Sequence, residues 1–428
     1  MDVLVEQLAR FFRAHASGKN ILLAYSGGMD SHVLLHLLAD LRKTFSFQLR
    51  AMYINHGIHV DADHWAKHCA NVCQKLEVEF IQQSIVQFAD RDNLEEKLRV
   101  ARYQLFKNTL VENELLFTAH HQDDQAETIL LQLCRGAGLS GLAAMPRIKQ
   151  FGRGFHARPL LDVTRENLLN YATDHHLNWI DDESNFDSRY ARNFLRHEVM
   201  PILAKRWPSI TKTFARSAEN CADAKKCLDA SLEHFLQEVQ GSTKETLSVK
   251  KVAMLELTQQ RHLLRKWIQQ AGFLLPSAIK MQQIQRTLLL AREDKNPCVD
   301  WGNVEMRRYR DDLFLMEKLL PHDPQLKMEW NLLQPLRLLG NDLLHTSIVP
   351  GKKLRQDIQT VTVQVRQGGE MIRLPGRKHH HELKKLFQEW GVLPWLRDRI
   401  PLIYVEGVLA AVVGFWIAEE FAADHQFC

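Results

Sequence analysis

Short apolar runs alternate with longer amphipathic stretches through the first 120 residues of the chain. Four of the runs have the length and aliphatic content of buried strands, at residues 21–25, 49–54, 78–82 and 115–119. Between them, apolar side chains recur at helical spacing over residues 31–41, 61–76 and 94–110. Because strands that alternate with helices form a parallel sheet covered on both faces, this pattern predicts an N-terminal doubly wound α/β domain.

Clusters of polar residues follow three of the four predicted strands. The first cluster is Ser26-Gly27-Gly28-Met29-Asp30-Ser31, the second is Asn55-His56-Gly57, and the third runs from Thr118 to Thr128. In an open parallel sheet, ligands bind beyond the carboxyl ends of the strands. We therefore expect the three clusters to converge on one ligand site.

The first cluster has the composition of a phosphate-binding turn. Gly27 and Gly28 allow a positive φ and a close approach of the backbone, so successive N–H groups can point toward an anion at the start of the next helix. Asp30 would repel a phosphate unless a divalent cation lay between them, which predicts a nucleotide bound with a metal. The lysine of a P-loop and the G-x-G-x-x-G spacing are both absent. A glycine turn capped by Ser31 is the alternative interpretation.

The third cluster contains paired histidines and several acids. Asp124 and Glu127 are three residues apart, so they share a face near the positive end of a predicted helix and could hold Mg²⁺ or a substrate ammonium. The acids could equally serve only to stabilise the first helical turn. A zinc site is disfavoured because the HExxH spacing is absent. His120 or His121 as a neutral group directed at a phosphate or at the substrate base fits better.

Composition and charge leave the ligand class open. The chain of 428 residues has a net charge of +4 and is 45% hydrophobic, which is typical of a globular protein and neither requires nor excludes nucleic acid. Seven cysteines occur without a CxxC pair, which favours free thiols in a reducing compartment. No apolar stretch reaches the roughly 18 residues of a membrane helix, and no signal-peptide pattern is present. We expect a cytoplasmic protein without a membrane partner.

Beyond residue 216 the pattern changes, which predicts two further domains. Helical periodicity covers residues 218–239, 249–270 and 279–291, with one short strand near Val299. The last segment has strand-like runs at residues 361–365 and 407–415. We therefore predict an N-terminal domain at 1–216, a mostly helical middle domain at 217–345 and a small α+β C-terminal domain at 346–428.

Three further segments could act as a lid or as RNA-binding surfaces. The glycine-rich segment after Arg135 could act as a lid that brings this guanidinium over a polyphosphate, or it could be a simple connection. Residues 187–216 carry seven Lys or Arg against two acids, and Arg189, Arg192 and Arg196 recur at helical spacing. Such a stripe can neutralise RNA phosphates, although a solvated helix face has the same composition. A second basic segment, residues 371–385, has the same two interpretations.

Taken in chain order, the motifs resemble the bacterial tRNA(Ile)-lysidine synthetase family of PP-loop ATP-pyrophosphatases. In the first half they are SGGMDS from Ser26, NHG from Asn55, TAHHQDDQAET from Thr118, RGAGLSGLAAM from Arg135, RPLL from Arg158, DESN from Asp182 and RNFLR from Arg192. RQGGE from Arg366 and PWLRDRIP from Pro394 resemble the final domain of longer members.

The resemblance implies a fold of the adenine nucleotide alpha hydrolase type and an ATP-dependent ligation. ATP would adenylate the oxygen on carbon 2 of the cytidine at the first anticodon position of tRNA(Ile) with the anticodon CAU. Free L-lysine would then attack that carbon through its ε-amino group and expel AMP. The codon read by the tRNA would change from AUG to AUA.

The same resemblance implies ATP and Mg²⁺ as cofactors and assigns residues to each role. Nucleotide binding would involve Ser26, Gly27, Gly28, Met29, Asp30, Ser31, Asn55, His56, Gly57 and Arg135, with Asp30 as the Mg²⁺ ligand. The expected catalytic residues are Asp30, His120, Asp124 and Glu127. Substrate binding would involve Asp124, Glu127, Arg189, Arg192, Asn193 and Arg196. Arg99 or Arg102 could also reach the phosphates or the tRNA, or could be surface charges.

Two other functions remain open at this stage. Another PP-loop tRNA-modifying enzyme, such as a thiolase, would need catalytic or cluster-binding cysteines, and only Cys134 lies beside these motifs. A nucleotide-regulated RNA-binding protein without catalysis would leave the carboxylate and histidine clusters unexplained. The sequence allows a homodimer without requiring one.

Overall fold

The structure, a computed structural model, divides the chain into two compact units. They comprise Met1–Leu228 and Asp229–Cys428. The described residues are 3–57, 61–85, 94–182, 187–292, 295–338, 343–344, 354–355 and 357–423. Within these ranges, every helix is too short or too polar to cross a membrane.

The first unit contains six strands and most of the helices. Its strands are β1 (Asn20–Ala24), β2 (Leu49–Asn55), β3 (Glu79–Ser84), β4 (Glu114–Phe117), β5 (Ile148–Phe151) and β6 (Gly154–Ala157). Its first seven helices are α1 (Val3–His15), α2 (Met29–Leu41), α3 (Ala62–Lys75), α4 (Leu94–Thr109), α5 (Gln122–Cys134), α6 (Leu139–Leu142) and α7 (Arg165–Asp174). They are followed by α8 (Ala191–Phe194), a π-helical turn (Leu195–Val199), α9 (Met200–Arg206) and α10 (Ile210–Glu238), within which the division between the units falls.

The strands form one sheet in the order β3-β2-β1-β4-β6-β5, parallel except for the edge strand β5. β1 is central, since Ile21 pairs with Leu49 on one side and with Leu115 on the other. The predicted doubly wound α/β domain is confirmed. The hairpin of β5 and β6 was not expected from the sequence, because each strand has only four residues and neither has the long apolar run of a buried strand.

Helices cover both faces of this sheet. Ile21 and Leu23 of β1 belong to a core cluster with Leu34 of α2, whereas Leu22 belongs to a second cluster with Phe106 of α4. Successive strand side chains point to opposite faces, so the alternation places two helix layers around β1. The carboxyl end of β1, from which the first polar cluster continues, is therefore anchored on both faces.

The second unit combines helices with antiparallel sheets, of which the described residues form two larger sheets and two of only two strands each. A four-stranded sheet has the order β7-β10-β9-β8, from β7 (Leu247–Ser248), β8 (Cys298–Trp301), β9 (Val304–Tyr309) and β10 (Asp312–Glu317). It accompanies α11 (Val249–Ala253), α12 (Leu257–Gln270), α13 (Ala278–Ile284) and a π-helical turn (Gln285–Leu289). The predicted helical middle region is present, but the strand near Val299 is one of four.

The last part of the second unit is α+β, as predicted. Its strands are β11 (Lys327–Asn331), β12 (Leu336–Arg337), β13 (Leu343–Leu344), β14 (Thr360–Gln364), β15 (Met371–Ile372), β16 (His381–Glu382), β17 (Leu402–Val405), β18 (Val408–Val412) and β19 (Trp416–Ile417). Five of them form a sheet in the order β11-β14-β17-β18-β19, and the helical pieces are α14 (Leu383–Glu389), α15 (Pro394–Arg397) and a 3₁₀ turn (Glu419–Phe421).

The helical segment expected over residues 249–270 is present as two helices, α11 and α12. The helix is interrupted between α11 and α12 because Glu256 has an extended ψ of 146° and begins a new helix. Its N–H donates to Oε1 of Gln259 at 3.1 Å, as in a capping box. The strand expected over residues 407–415 is shorter than predicted, since β18 ends at Val412 and Gly414 turns the chain with a φ of +79° before β19 begins.

Candidate active site

A cavity of about 490 Å³ lies at the carboxyl edge of the parallel sheet. All three polar clusters contribute to its walls, with Ser26 and Asp30 from the first, His56 from the second, and His120 and Asp124 from the third. Its volume is within the range of about 300 to 1,000 Å³ that is usual for small-molecule sites.

The loop after β1 is held in a conformation that requires glycine. Gly27 has a φ of +82°, and a Cβ there would lie 2.6 Å from Cδ1 of Ile180 and 2.8 Å from Sγ of Cys69. Ser31 ties the loop together, since its hydroxyl accepts from the Ser26 N–H at 3.2 Å and lies 3.0 Å from the Ser26 hydroxyl. Both the conformation and the space therefore explain the glycine at position 27.

Helix α2 begins directly after this loop and lines the cavity with its first turn. Its N-cap is Gly28, which offers no side-chain hydrogen bond to the first-turn N–H groups. Open N–H groups at the positive end of a helix form an anion site, so the arrangement suits a phosphate. Phosphate binding by this cluster stays a prediction, which the uncapped start of α2 supports.

Asp30, in the first turn of α2, supplies a carboxylate suited to a cation. Its Oδ1 is buried and has no hydrogen-bond partner. Among the residues that the structure describes, no group of three or more His, Cys, Asp or Glu is arranged to hold a metal ion. Mg²⁺ is commonly held by only one or two carboxylates together with substrate phosphates, so a carboxylate with one unpartnered oxygen beside a predicted phosphate site fits this ion.

His121 connects Asp30 to the start of α5. Its Nε2 lies 3.6 Å from Oδ2 of Asp30 and 3.5 Å from Oδ2 of Asp124, and its Nδ1 lies 3.5 Å from Oδ2 of Asp123. Burial opposes the charged imidazolium, but these three carboxylates outweigh it and raise the pKa of His121 to about 10. Asp123 also accepts from the Arg165 N–H at 2.9 Å, so this acid caps α7.

Asp124 and Glu127 are paired with two arginines from the π-helical turn and from α8. Arg196 Nε lies 2.6 Å from Oε1 of Glu127, and its Nη2 lies 3.0 Å from Oδ1 of Asp124. Arg192 Nε donates to Oε2 of Glu127 at 3.0 Å. Although burial opposes ionisation, His121 and the nearby cations hold the pKa of Asp124 far below its usual range. The result is a charge-balanced wall of two carboxylates and two guanidiniums, in which Asp124 and Arg196 line the cavity.

Comparisons with known proteins match both units. The PP-loop domain family matches residues 2–203, the TilS substrate binding domain residues 247–314 and the TilS substrate C-terminal domain residues 361–427. The tRNA(Ile)-lysidine synthase of Coxiella burnetii is 42% identical over 425 residues, which cover 98% of this chain and 94% of that protein. The chain belongs to the tRNA(Ile)-lysidine synthase family. The synthase of Methylococcus capsulatus is 40% identical over 418 residues, covering 96% of this chain and 94% of that protein.

The family membership confirms the resemblance drawn from the motifs, and the structure places the individual motif residues. Asn55 orders the second cluster, since its Oδ1 accepts from the Gly57 N–H at 2.8 Å and its Nδ2 donates to Asp63. His56 lines the cavity with a buried Nδ1 that has no hydrogen-bond partner, and Arg102 lines it from α4. Of the DESN motif, Asp182 lines the cavity, and residues 183–185 lie outside the described ranges.

Other motif residues of this family member lie away from the cavity lining. Arg135 follows the last residue of α5, at the opposite end of that helix from Asp124. Arg189 is bound to Asp187 at 2.7 Å with an exposed side chain, and the amide of Asn193 donates to the Asp187 carbonyl at 3.1 Å. Their assignments as nucleotide- or substrate-binding residues stay predictions.

Several residues that line the cavity were not predicted from the sequence. Arg165 enters from the start of α7, Asp181 from the segment after α7, and His197 from the π-helical turn. None belongs to a cluster at the end of a predicted strand, which was the signal used for the other residues. The position of His197 beside Arg196, in the RNFLR segment of this family, was the available clue.

The basic segment at residues 371–385 is partly neutralised within the second unit. Arg373 lies 2.8 Å from Glu419, Arg377 lies 3.5 Å from Glu389, and Lys385 lies 3.7 Å from Glu382. His379 and His380 are exposed. The segment lies within the TilS substrate C-terminal domain of this family member.

Proposed function

We propose that the chain ligates L-lysine to carbon 2 of the cytidine at the first anticodon position of the CAU-anticodon tRNA(Ile), with ATP converted to AMP and pyrophosphate. The observation that carries the proposal is one cavity that joins the open start of α2 and Asp30 to the charge-balanced wall of Asp124 and Arg196. A reaction of ATP with an amino acid needs an anion site and an amino-acid site that face the same space.

In the first step, the oxygen on carbon 2 of cytosine attacks the α-phosphorus of ATP. The bond between the α-phosphorus and the oxygen that bridges to the β-phosphorus then breaks. The N–H groups at the start of α2 would bind the phosphate oxygens as pyrophosphate leaves. Asp30 would hold Mg²⁺, which supplies charge neutralisation for the leaving pyrophosphate when bound. The adenylated oxygen is then a much better leaving group than a carbonyl oxygen.

In the second step, the ε-amino group of lysine attacks carbon 2, and the bond between carbon 2 and the former carbonyl oxygen breaks as AMP departs with that oxygen. The proton released from the attacking nitrogen passes to solvent. A free amino acid carries both an ammonium and a carboxylate, so a wall that contains both signs of charge suits it. The carboxylates of Asp124 and Glu127 would hold ammonium groups, and the guanidiniums of Arg192 and Arg196 would hold the α-carboxylate. Lysine would thereby exchange partners with existing ion pairs rather than bind to unpaired charges.

The tRNA needs contacts beyond the reacting base. The segment from Tyr190 to Trp207, which includes the cavity residues Arg196 and His197, carries exposed aromatic side chains. Tyr190 and Phe194 are each 44% exposed, and Trp207 is 53% exposed. The Arg206 guanidinium lies 5.7 Å from the centre of the Trp207 ring. Unpaired RNA bases stack on aromatic rings while cations bind the backbone, so this segment is a suitable contact for the anticodon loop.

A thiolase is the less favoured candidate. Cys69 and Cys73 are fully buried, and burial raises the pKa of each thiol to about 12, which makes a reactive thiolate unfavourable. Cys134 is exposed at the end of α5, away from the cavity lining. A non-catalytic RNA-binding protein would have no need for the paired charges of the cavity. A cytoplasmic location and a homodimer stay predictions.

The proposal is tested by incubating the chain with ATP, Mg²⁺, radiolabelled lysine and a panel of tRNAs. We expect lysine to be retained only on the CAU-anticodon tRNA(Ile), with one AMP formed for each lysine. The matched control is the same tRNA transcript with uridine at the first anticodon position, which should retain none. Lysine on no tRNA, or AMP formation that ignores lysine and tRNA, would overturn the proposed function.

A further inference from the structure

A chain of hydrogen-bonded polar side chains leads from His120 into the protein interior. Thr118 Oγ1 lies 2.8 Å from Nδ1 of His120 and 2.9 Å from Nε2 of His156. On its other side, Nδ1 of His156 lies 3.2 Å from Nη2 of Arg158. Thr118, His156 and Arg158 are 7%, 0% and 4% exposed, so water does not compete for these contacts. The two-step reaction described above makes no use of these three residues.

The adjacent strands β4 and β6 hold these hydrogen-bonded side chains in place. Thr118 follows β4, and its N–H donates to the carbonyl of Ala157 at 3.1 Å. His156 is in β6, which pairs in parallel with β4, and Arg158 follows β6. Arg158 is itself anchored, because its Nη1 donates to the Pro146 carbonyl at 2.8 Å.

The chemistry of the side chains determines which atom donates and which accepts in each of these hydrogen bonds. A guanidinium has donors and no acceptor, so Nδ1 of His156 must accept from Arg158 and carries no proton. Burial and the charge of Arg158 hold the pKa of His156 far below its usual range, so the ring is neutral and its proton lies on Nε2. That N–H donates to Thr118.

The hydrogen bond between Thr118 and His120 determines which nitrogen of His120 carries the proton. The Thr118 oxygen accepts from His156, and the other polar atom that contacts this hydroxyl within the described residues is Nδ1 of His120. A buried hydroxyl proton without an acceptor is costly, so the single proton of Thr118 is directed at Nδ1 of His120, which accepts it. Burial lowers the pKa of His120 to about 3, which keeps the ring neutral near pH 7. Its one proton therefore lies on Nε2. The His120 ring lines the cavity, and its hydrogen bond within the described residues is made through Nδ1.

We propose that His156 and Arg158 are positioning residues that act through Thr118 to hold His120 as the Nε2–H tautomer, which presents a hydrogen-bond donor to the cavity. The acceptor class is an oxygen that gains negative charge during reaction. Because the proposal rests on the proposed function for the identity of that oxygen, we assign it to the α-phosphoryl group of ATP during adenylation. A ring protonated at Nε2 and blocked at Nδ1 cannot take the proton of the lysine ammonium, so His120 is not the general base.

The tautomer is tested directly by ¹⁵N NMR of the full chain labelled at histidine, with His120→Gln used to assign the His120 signals. We expect His120 to show a protonated Nε2 and an unprotonated Nδ1 between pH 6 and 8. Thr118→Val removes the hydroxyl at nearly constant shape and should abolish this preference, and Thr118→Ser should restore it. A wild-type ring protonated at Nδ1 or at both nitrogens, or an unchanged tautomer in Thr118→Val, would overturn the proposal.

Kinetics give the second readout. In single-turnover pyrophosphate release, Thr118→Val should lower the rate on the order of 100-fold with little change in the KM for ATP, as expected when a donor to developing charge is lost. Thr118→Ser should recover most of the rate. Thr173→Val is the matched control, since that exposed hydroxyl on α7 donates only to the Leu169 carbonyl. A wild-type chain that shows the tautomer and transfers no lysine would refute the proposed function alone, whereas equal rates in Thr118→Val and wild type would refute the donor role.

Discussion

Arg196 bridges two carboxylates of α5, with its Nε 2.6 Å from Glu127 and its Nη2 3.0 Å from Asp124. Glu127 is 1% exposed and receives a second guanidinium from Arg192. Because each carboxylate is paired with a guanidinium of the protein, both groups stay ionised without a ligand, and the two carboxylates and two guanidiniums together have no net charge. A substrate with both signs of charge can replace these partners at a lower electrostatic cost than an ion of one sign.

Glu127→Gln should destabilise the fold and impair lysine transfer. The change leaves the charges of Arg192 and Arg196 without their shared buried partner, so we expect the free energy of unfolding to fall by about 2 to 4 kcal/mol. Urea denaturation measures this loss, and incorporation of radiolabelled lysine measures the effect on activity.

The control for this prediction is Arg189→Met, which removes an arginine from the same segment. Arg189 is exposed and pairs only with Asp187 among the contacts described for it, so its removal should leave the free energy of unfolding unchanged. Equal stability of wild type and Glu127→Gln would contradict a stabilising role for the buried pairs.

These ion pairs mark the limit of what the sequence could predict. The strand pattern and the Gly27-Gly28 turn are short-range signals, so the sheet and the first polar cluster could be predicted from local periodicity. Arg196 meets Glu127 across 69 residues of sequence, and no local spacing connects them. From the sequence, Arg192 and Arg196 could therefore be interpreted only as part of an RNA-binding stripe or a solvated helix face, whereas in the fold both pair with carboxylates of α5.

The same distinction applies to His120 and Arg135. The position of His120 after a predicted strand indicated a site residue, but its tautomer depends on His156 in a hairpin strand that local periodicity did not predict. Arg135 belongs to a family motif, but α5 carries it to the far end of the helix from Asp124. The family motifs indicated that both residues belong to the functional site. Only the tertiary structure shows that His120 lines the cavity and that Arg135 does not.

Asp30→Ala should abolish ATP-dependent lysine incorporation while the fold is retained. The substitution removes the carboxylate whose Oδ1 has no hydrogen-bond partner, beside the proposed phosphate site, so we expect pyrophosphate release to fall at least about 100-fold and ATP binding to lose its dependence on Mg²⁺. Asp40→Ala is the matched control on the same helix, because Asp40 pairs only with the exposed Lys43 among its described contacts. Near-normal turnover of Asp30→Ala would contradict the assignment.

Gly27→Ala should cost more stability than Gly18→Ala, although both glycines have a positive φ. At Gly18, with a φ of +69°, a Cβ would meet nothing within 4 Å, so only the backbone strain of about 1 to 2 kcal/mol is expected. At Gly27, the Cβ would also meet Ile180 and Cys69 at under 3 Å, which adds about 1 to 3 kcal/mol of overpacking. Unfolding in urea measures both costs, and the KM for ATP should rise in Gly27→Ala alone. Equal effects of the two substitutions would show that crowding at Gly27 is not important.

The buried thiol of Cys73 should make stability fall at alkaline pH. Burial raises its pKa from the ordinary value of 9.0 to about 12 in the folded chain, so above pH 9 the unfolded chain loses the thiol proton first. The contribution is therefore complete below pH 9 and is lost as the pH rises toward 12, at up to about 1.4 kcal/mol per pH unit. Cys73→Ala lacks this group, so the stability difference between wild type and variant should shrink between pH 9 and 11. The exposed Cys134 provides the control, since Cys134→Ala should follow the wild-type curve. Parallel curves for wild type and Cys73→Ala would mean that this thiol ionises equally in the folded and unfolded chains.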